Sequence, residues 1–491
     1  MARARDLQGK DNNVIAVIGD GALTGGMALE ALDDAGNSKT KLIVVLNDNE
    51  MSISKNVGGI SRFLTRIRTK RFYKKSNNFI RRILEKVPKF GPFVIHIARK
   101  IKYSIKQLMI PNMFFEDLGF KYLGPVDGHD IERVEWILNL AKKEKEPVLV
   151  HIITKKGKGY KPAEEKPDNY HATSSFEKET GKPKKEKQKD YSSVFGDALV
   201  KLAKENEKIV AITAAMADGT GLKEFKSKYP ERFFDVGIAE QHALCMAAGM
   251  AKEGFMPVVP IYSSFYQRAY DQVIHDICLQ NLPVVMCVDR AGIVGQDGET
   301  HQGIFDLSFF SIIPNITIMA PKDFKELEQM LKYGVELKAP VVIRYPRGGE
   351  SKEIKFDKHE EIKQGKAEIL KQGNDVTIIA IGKMVERAEK VANSLEKQGK
   401  SVEVINARFL KPLDKNTIIN SINKTKRIIT IEDNVLTGGL ASHIEDLIIE
   451  NKLEITNFQK YGWKDEFIKH GKVEELEKLY NLDEETIIKN F

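Results

Sequence analysis

Short apolar runs alternate with amphipathic stretches along the first 160 residues. Val14–Ile18 is an apolar run typical of a buried parallel strand, and it ends in the polar turn Gly19–Gly21. A helical spacing of apolar residues follows, and then a second apolar run, Leu42–Leu46, ends in Asn47–Asn49. This order predicts a βαβ unit in a parallel sheet, with ligands bound at the carboxyl ends of its strands. Pro147–Ile153 predicts one more strand.

The same alternation returns twice after a polar stretch. Residues 161–189 are rich in charged and turn-forming residues and predict an interdomain linker. The fold class expected is α/β, with three consecutive α/β domains at residues 1–160, 190–350 and 360–491. The later apolar runs that predict strands are Lys208–Thr213, Val258–Tyr262, Pro283–Val288, Val341–Tyr345, Asp375–Ile381, Ser401–Asn406 and Arg427–Glu432.

Length and composition are typical of a multidomain globular protein. At 491 residues the chain exceeds one ordinary core, and 42% of its residues are hydrophobic. The sequence has no apolar stretch of bilayer-spanning length and no apolar signal core at its start, so we expect a cytoplasmic protein without a membrane partner. Cys245, Cys278 and Cys287 lack CxxC spacing, which predicts buried thiols rather than disulfides or a zinc site.

The positive charge is concentrated in one segment. The net charge is +8, and residues 62–106 contain 15 Lys or Arg and one acid. This segment alone carries +14, so the rest of the chain is acidic by 6 charges. No RNP, helix-turn-helix or zinc-finger pattern accompanies it, and we expect no nucleic-acid partner. The favoured interpretation is a basic insertion that forms a surface lid with solvated lysines; binding to an anionic surface is the alternative.

Two polar tripeptides at strand ends predict a metal and phosphate site. Asp20 and Asn49 end neighbouring strands, and carboxylate and amide oxygens suit a hard cation such as Mg²⁺. Gly21 and Ala22 open a predicted helix, so their backbone N–H groups are candidate donors to a diphosphate. Ordinary strand-end turns are the alternative, because Gly, Asp and Asn are common in turns.

The paired tripeptides resemble the thiamine-diphosphate signature of transketolase-like enzymes. The resemblance implies that Asp20, Asn49 and the backbone carbonyl of Met51 hold the metal. Thiamine chemistry also needs a carboxylic acid that shares a proton with the aminopyrimidine ring, in an apolar setting that raises its pKa. Glu240 opens an apolar helix and is the candidate for this acid, although a glutamate at a helix start is often only a cap.

Aromatic and basic residues after the later strands predict a substrate pocket. Phe265 is expected to stack on the pyrimidine ring and Arg268 to face the substrate; the alternative is an aromatic core helix with polar surface groups. Arg290 and Arg347 end strands and, with Tyr262, could clamp a phosphate in bidentate fashion. Each arginine could equally form a surface ion pair.

A dense Gly, Asp and His loop at residues 289–303 completes this pocket. Such a loop after a buried strand makes a poor core and a good active-site rim. His301 within it could transfer a proton or hold a carboxylate.

Eight motifs occur in order along the chain: GDGALTGGMALEAL, LNDNEMSIS, GPVDGHD, KKGKGY, FDVGIAEQHA, YSSFYQRAYDQ, DRAGIVGQDGETHQG and RYPRG. Together they resemble the 1-deoxy-D-xylulose-5-phosphate synthase family. The resemblance implies a transferase that joins pyruvate to D-glyceraldehyde 3-phosphate with loss of CO₂, for isoprenoid, thiamine and pyridoxal synthesis. It also implies thiamine diphosphate, Mg²⁺ and a homodimer.

The resemblance assigns roles residue by residue. Glu240 activates the cofactor, and the contacts to the aldehyde phosphate come from the arginines and tyrosine already named. The remaining assignments are Tyr160 as a cofactor contact, His171 as an active-site histidine, and Arg268, Asp297 and His301 as the residues that handle the pyruvate carboxylate and pace decarboxylation.

One feature departs from the family pattern. Family members carry a longer front section, with an early catalytic histidine and the first strands of the sheet, and Met1 aligns with an interior methionine. We therefore expect an uncovered sheet edge and weak or absent activity from this chain. Two alternatives stay open: another transketolase-like enzyme, such as a transketolase or a pyruvate-dehydrogenase β-like subunit, and a non-catalytic or split-subunit protein that only binds thiamine diphosphate.

Overall fold

The structure, a computed structural model, describes residues 1–52, 56–69, 113–171, 173–184 and 188–491. The chain divides into two compact units. Unit 1 is Met1–Glu186 with Gly237–Ala239, and unit 2 is Lys187–Val236 with Glu240–Phe491. Most of the basic insertion, from residue 70 onward, lies outside the described residues.

Unit 1 is built around a parallel sheet with the order β1-β2-β4-β3 among its described strands. The three strands predicted here are confirmed to within two residues. The strand β3 was missed, because a Gly-Pro pair interrupts its apolar pattern and the register shifts between Leu123 and Val126. The strands are β1 Ile15–Gly19, β2 Ile43–Asp48, β3 Lys121–Asp127 and β4 Val148–Ile153.

Helices cover this sheet on both faces and bury two apolar clusters. One cluster gathers Leu32, Leu46 and Phe115, and the other gathers Ile137 and Val150. β1 is an edge strand of the described sheet, with Ile15 and Val17 exposed. The helices of unit 1 are Ala2–Leu7, Asp20–Leu23, Gly26–Ser38, Gly59–Thr69, Met113–Asp117, Ile131–Lys142, Lys161–Glu165 and the 3₁₀ turn Pro167–Tyr170.

Unit 2 contains two sheets. The larger has the order β14-β9-β10-β8-β7-β5-β6, parallel except for the antiparallel pair of β14 and β9. β14 comes from the segment predicted as the third domain, so both later segments build this sheet. Its strands are β5 Ile209–Thr213, β6 Phe233–Asp235, β7 Met256–Tyr262, β8 Val285–Asp289, β9 Thr317–Met319, β10 Val341–Arg344 and β14 Phe409–Lys411.

The smaller sheet has the order β11-β13-β12-β15-β16, with β11 antiparallel to β13. The predicted strands are confirmed in both sheets. The strands β6, β9, β11 and β14 were missed because three or four residues show no clear period, and the seven-residue edge strand β16 was also missed. The strands of the smaller sheet are β11 Glu368–Lys371, β12 Val376–Ala380, β13 Val402–Asn406, β15 Arg427–Val435 and β16 Asn457–Trp463.

A buried ionic cluster joins the two later segments. Lys322 and Arg408, both fully buried, pair with Glu326 and Glu368, with the Lys322–Glu368 bridge at 2.7 Å and the Arg408–Glu326 bridge at 2.8 Å. The two positive charges therefore compensate two negative ones, as burial of charge requires. Arg408 comes from the loop before β14, and Lys322 follows β9, so the cluster lies where the antiparallel pair forms.

Helices cover both sheets of unit 2. Cys245 is exposed on the helix Glu240–Lys252, which corrects the prediction that all three thiols are buried; Cys278 and Cys287 are buried.

Among the described residues, no helix is long and apolar enough to span a bilayer. The longer helices are Tyr191–Glu205, Lys223–Lys228, Glu240–Lys252, Asp306–Ser311, Phe324–Glu336, Met384–Lys397, Lys415–Thr425, Leu440–Glu450, Val473–Leu479 and Glu484–Lys489, and Val273–Cys278 is a π-helix. The short helical turns are Pro230–Arg232, Ser263–Tyr266, Gln267–Ala269, Tyr270–Gln272, Gly295–Asp297 and Glu299–His301.

Candidate active site

The carboxyl ends of β1 and β2 bring the two polar tripeptides to one edge of the sheet. Gly19 pairs with Asn47 in the parallel register, so Asp20 and Asp48 follow at the same level. Asp20 is only 3% exposed. Burial, and after it the neighbouring Asp48 carboxylate, raise the pKa of Asp20 to about 6. The two carboxyl groups thus lie close together, and a bound cation would reduce the repulsion between them.

A buried hydrogen-bonded chain lies behind Asp48. His151 Nε2 lies 2.9 Å from Asp48 Oδ2, and Tyr122 Oη lies 2.6 Å from His151 Nδ1. Burial acts to raise the pKa of Asp48, but the hydrogen bond and charge of His151 and the charge of Arg68 outweigh it and hold that pKa below its ordinary value. Sequence reasoning missed this chain; its signal was a histidine inside the apolar strand β4.

The oxygen atoms at this edge suit a hard cation. Asp20 Oδ1 accepts a bond from the Gly21 N–H at 3.1 Å, and Asn49 Oδ1 accepts one from the Met51 N–H at 3.0 Å. No group of three or more His, Cys, Asp or Glu side chains in the described ranges could share an ion. The predicted set is of another kind, with one carboxylate, one amide oxygen and one backbone carbonyl, and it fits Mg²⁺ that shares its ligands with phosphates.

The backbone around Gly21 differs in one respect from the prediction. Gly21 and Ala22 lie in the four-residue helix Asp20–Leu23, which is separate from the longer helix Gly26–Ser38. Their N–H groups therefore belong to a short turn, and the dipole of the longer helix begins further along the chain. A Cβ atom added at Gly21 would lie 2.7 Å from Ser52 Cβ, so the turn is packed closely against the chain after Asn49.

Tyr160 of the KKGKGY segment and His171, both predicted from the sequence, lie at two places in unit 1. Lys156 Nζ lies 2.8 Å from His171 Nδ1 and also donates to the Ser52 carbonyl. Burial, followed by the charge of Lys156, lowers the pKa of His171. Tyr160 packs against Tyr170, with ring centroids 5.6 Å apart, and donates to the Lys178 carbonyl at 2.9 Å. Lys156 was not singled out from the sequence.

Glu240 opens its helix in the apolar setting that the sequence indicated. Its side chain is buried and forms an ion pair with Arg268. Burial raises the pKa of Glu240, while its own backbone N–H and the charge of Arg268 oppose that rise. A carboxyl group in this state keeps its proton to a higher pH than an exposed glutamate does.

Three predicted pocket residues form an aromatic row in unit 2. The rings of Tyr262 and Phe265 stack at 5.6 Å between centroids, and the His301 ring meets Phe265 edge-on at 5.4 Å. The buried hydroxyls of Ser263 and Ser264 have no hydrogen-bond partner among the described residues. Buried hydroxyls are normally satisfied, so these two are candidates for contact with a bound ligand.

Charged residues surround the end of this row. The Arg290 guanidinium lies 4.3 Å from the Tyr262 ring centroid, and Arg347 pairs with Asp297 at 3.1 Å. Burial raises the pKa of Tyr262 to about 12; the charges of Asp289 and Asp297 add to that rise, and those of Arg290 and Arg347 oppose it. The structure thus brings together Tyr262, Arg290, Arg347 and Asp297, which lie up to 85 positions apart in the chain.

The loop 289–303 is held by the last segment of the chain. Asp433 accepts hydrogen bonds from the Ile293 N–H at 3.0 Å and from Trp463 Nε1 at 2.7 Å. Within the loop, Gln302 Oε1 accepts from the N–H groups of Val294 and Gly295 at 3.0 and 3.1 Å. Sequence reasoning missed Asp433 and Gln302, because only the folded chain brings Asp433 to residue 293.

Comparison with protein families assigns each part of the chain. Residues 1–154 match the family described as 1-deoxy-D-xylulose-5-phosphate synthase. Residues 187–349 match the transketolase pyrimidine binding domain, and residues 365–487 match the transketolase C-terminal domain.

Among solved structures, the chain resembles transketolases. One described as a split gene transketolase, inactive beta4 tetramer, is 30% identical with a TM-score of 0.57 and covers 62% of this chain and 97% of its own. A transketolase from Campylobacter jejuni is 19% identical with a TM-score of 0.54, over 100% of this chain and 79% of its own, and it supports the fold alone.

Curated relatives match along the whole length of the chain. The 1-deoxy-D-xylulose-5-phosphate synthase of Clostridium tetani is 51% identical over 491 residues, which are 100% of this chain and 79% of the relative. The synthase of Clostridium acetobutylicum is 51% identical with the same coverage, and that of Desulforudis audaxviator is 49% identical over 100% of this chain and 77% of its own. The chain therefore belongs to the 1-deoxy-D-xylulose-5-phosphate synthase family, whose members are transketolase-type transferases.

Proposed function

We propose that this chain condenses pyruvate with D-glyceraldehyde 3-phosphate, releases CO₂ and forms 1-deoxy-D-xylulose 5-phosphate. The observation that carries this proposal is 51% identity to curated synthases over the entire chain. The gathering of Tyr262, Phe265, Arg290 and His301 in unit 2 supports it. From the sequence, Tyr262 and Arg290 were selected for the aldehyde phosphate, Phe265 for the pyrimidine ring and His301 for the pyruvate carboxylate. The product would serve isoprenoid, thiamine and pyridoxal biosynthesis.

The proposed cofactors are thiamine diphosphate and Mg²⁺. Asp20, Asn49 and the Met51 carbonyl would hold the ion, and the N–H groups of Gly21 and Ala22 would bind the diphosphate. The raised pKa of Asp20 supports this assignment, because a cation would relieve the repulsion between its carboxylate and Asp48. When bound, the cofactor supplies the nucleophilic carbon that attacks a carbonyl group.

The chain's own residues would prepare and protect this chemistry. Glu240 would share a proton with the aminopyrimidine ring, for which a buried carboxyl of raised pKa is suited. Phe265 would stack on that ring. Tyr160 and His171 are proposed cofactor-side contacts; the Lys156 ammonium beside His171 disfavours a second positive charge there, so His171 would act as a neutral imidazole.

The substrates would be recognised by the charged residues of unit 2. Arg290 and Arg347, with Tyr262, would bind the phosphate of the aldehyde, since guanidinium groups pair with phosphate in bidentate fashion. Arg268, Asp297 and His301 would handle the pyruvate carboxylate and the proton that accompanies decarboxylation. Arg268 pairs with Glu240 in this structure, so the acid and the pyruvate contact are already adjacent.

Two further expectations remain proposals. A homodimer is proposed from the family resemblance, and light scattering on the purified chain measures it. A cytoplasmic location is proposed from the sequence, and fractionation of the producing cells measures it.

The activity is tested with the full chain, Mg²⁺ and thiamine diphosphate. We expect release of CO₂ from carboxyl-labelled pyruvate with formation of the ketose phosphate, at no more than the low rate predicted from the sequence, in a reaction that needs both substrates. Glu240→Gln should lower the rate by about 10² to 10⁴-fold. Tyr270→Phe is the matched control, because the Tyr270 hydroxyl donates to the Phe309 carbonyl and serves packing. Transfer from a ketose phosphate without turnover of pyruvate would refute the proposal in favour of a transketolase.

A further inference from the structure

All side-chain hydrogen bonds that Arg290 makes to the described residues come from one nitrogen. Nη1 donates to Ser192 Oγ at 2.7 Å, to the Gly219 carbonyl at 2.7 Å and to Asp289 Oδ1 at 2.8 Å. The opposite edge of the guanidinium, formed by Nε and Nη2, is the edge that pairs with a phosphate through two parallel bonds. The side chain is 18% exposed, so its access to solvent is narrow.

Ser192 connects the arginine to its carboxylate. The Ser192 hydroxyl donates to Asp289 Oδ2 at 2.8 Å and accepts from Arg290 Nη1. Because a hydroxyl has one proton, this donation to Asp289 leaves an oxygen lone pair for the guanidinium. Ser192 is buried and lies in the first turn of the helix Tyr191–Glu205, so a rigid element fixes the hydroxyl.

The backbone at Arg290 is strained and needs such support. Its φ is +57°, a left-handed conformation that is uncommon for a side chain of this size. Asp289 Oδ1 accepts from the Arg290 backbone N–H at 2.7 Å as well as from the side chain, so one carboxylate oxygen holds both ends of the residue. The Tyr262 ring covers the guanidinium face. Strain held by several contacts is typical of functional sites.

We propose that Ser192 is a positioning residue for phosphate recognition: together with Asp289 it holds the inner nitrogen of Arg290 and so presents the outer edge of the guanidinium to the phosphate of the aldehyde substrate. This inference rests on the proposed function, which makes Arg290 a phosphate contact. Ser192 touches neither substrate nor reacting atoms, and it acts through the orientation of the arginine.

The test compares phosphate binding in variants of the full chain. The probe is glycerol 3-phosphate, an unreactive phosphate monoester, and its dissociation constant is measured by ³¹P NMR, which needs no turnover. Ser192→Ala should weaken binding by about 10-fold, as expected when a hydrogen bond to a charged group is lost. Ser192→Thr, which keeps the hydroxyl, should restore it. Ser193→Ala is the control, since Ser193 caps the same helix through Asp190.

A second readout separates positioning from a general structural effect. Ser192→Ala should lower kcat/KM for D-glyceraldehyde 3-phosphate but leave kcat/KM for unphosphorylated D-glyceraldehyde and the KM for pyruvate unchanged. Should Ser192→Ala not fold, Ser192→Cys offers nearly the same volume with a weaker hydrogen bond, and the same criteria apply. Unchanged phosphate affinity, or equal losses for both aldehydes, overturns the inference.

The failure of this inference and the failure of the proposed function give different results. Arg290→Lys keeps the positive charge but removes the planar guanidinium, so it should also weaken binding of glycerol 3-phosphate. If Arg290→Lys weakens binding and Ser192→Ala does not, only the role of Ser192 falls. If neither variant changes the affinity, Arg290 is not a phosphate contact, and the assignment under the proposed function falls with it.

Discussion

Asp20 provides the sharpest test of the proposed metal site, because its burial near Asp48 should make the metal-free protein less stable. The substitution Asp20→Asn keeps the shape of the side chain and replaces a repelled carboxylate with an amide. The amide can donate a hydrogen bond to Asp48, which the ionised carboxylate cannot. We therefore expect Asp20→Asn to stabilise the metal-free protein at pH 7.5.

The size of the stabilisation expected for Asp20→Asn follows from the pKa of Asp20. Its value rises from 3.8 to about 6 on folding, and each factor of ten in acidity corresponds to about 1.4 kcal/mol. The full effect would be about 3 kcal/mol, which screening at the sheet edge reduces to about 2 kcal/mol. For a domain of about 190 residues this corresponds to an increase in Tm of roughly 4 to 8 °C.

The effect of Asp20 on the free energy of unfolding depends on pH. The folded protein binds its proton more tightly than the unfolded chain does, so Asp20 lowers stability as the pH rises from about 4 to above 6. The advantage of Asp20→Asn should be full above pH 7 and absent near pH 4. Exposed Asp33→Asn is the control for the loss of one charge.

The assay is thermal unfolding at both pH values, with and without Mg²⁺ and thiamine diphosphate. The wild-type protein should gain stability from the added ligands, by about 2.7 kcal/mol at 100 times the dissociation constant. The Asp20→Asn variant should gain less stability from Mg²⁺ and thiamine diphosphate. If this variant is less stable than the wild type at pH 7.5 without metal, or if it gains as much from Mg²⁺ and cofactor, the reasoning is refuted.

Three further predictions concern unit 2. Glu240→Gln should be at least as stable as the wild type above neutral pH, because burial disfavours the ionised carboxylate; a loss of Tm there would show that the ion pair dominates. Arg408→Met should lower the free energy of unfolding by about 3 to 5 kcal/mol, since it leaves two buried glutamates with one lysine; a loss under 1 kcal/mol in urea unfolding would contradict this. Gly292→Ala should impair both stability and turnover, because its φ is +78° and its Cβ would lie 1.9 Å from Asp433 Oδ2; retention of wild-type kcat would speak against a precise loop position.

The local pattern of the sequence predicted the strands that form the centre of each sheet. β2, β4, β5, β7, β8 and β10 are apolar runs buried by helices or neighbouring strands, so the run itself carries the signal. β1 was predicted from the same kind of run, although it is an edge strand of the described sheet with Ile15 and Val17 exposed. The edge strands β3 and β14 were harder to predict from the sequence, because β3 contains a Gly-Pro pair and a register shift, and β14 has only three residues. Only pairing with a neighbouring strand defines such short elements.

The sequence by itself determined which residues are candidates for the chemistry, because side-chain type and position at a strand end are local properties. Asp20, Asn49, Glu240 and Arg290 were identified in this way. Tertiary structure alone decided their protonation and support: the proximity of Asp48 to Asp20, the chain through His151, and the contact of Ser192 with Asp289 and Arg290. These depend on residues up to about a hundred positions apart, and a linear pattern contains no information on which side chains folding brings within hydrogen-bond distance.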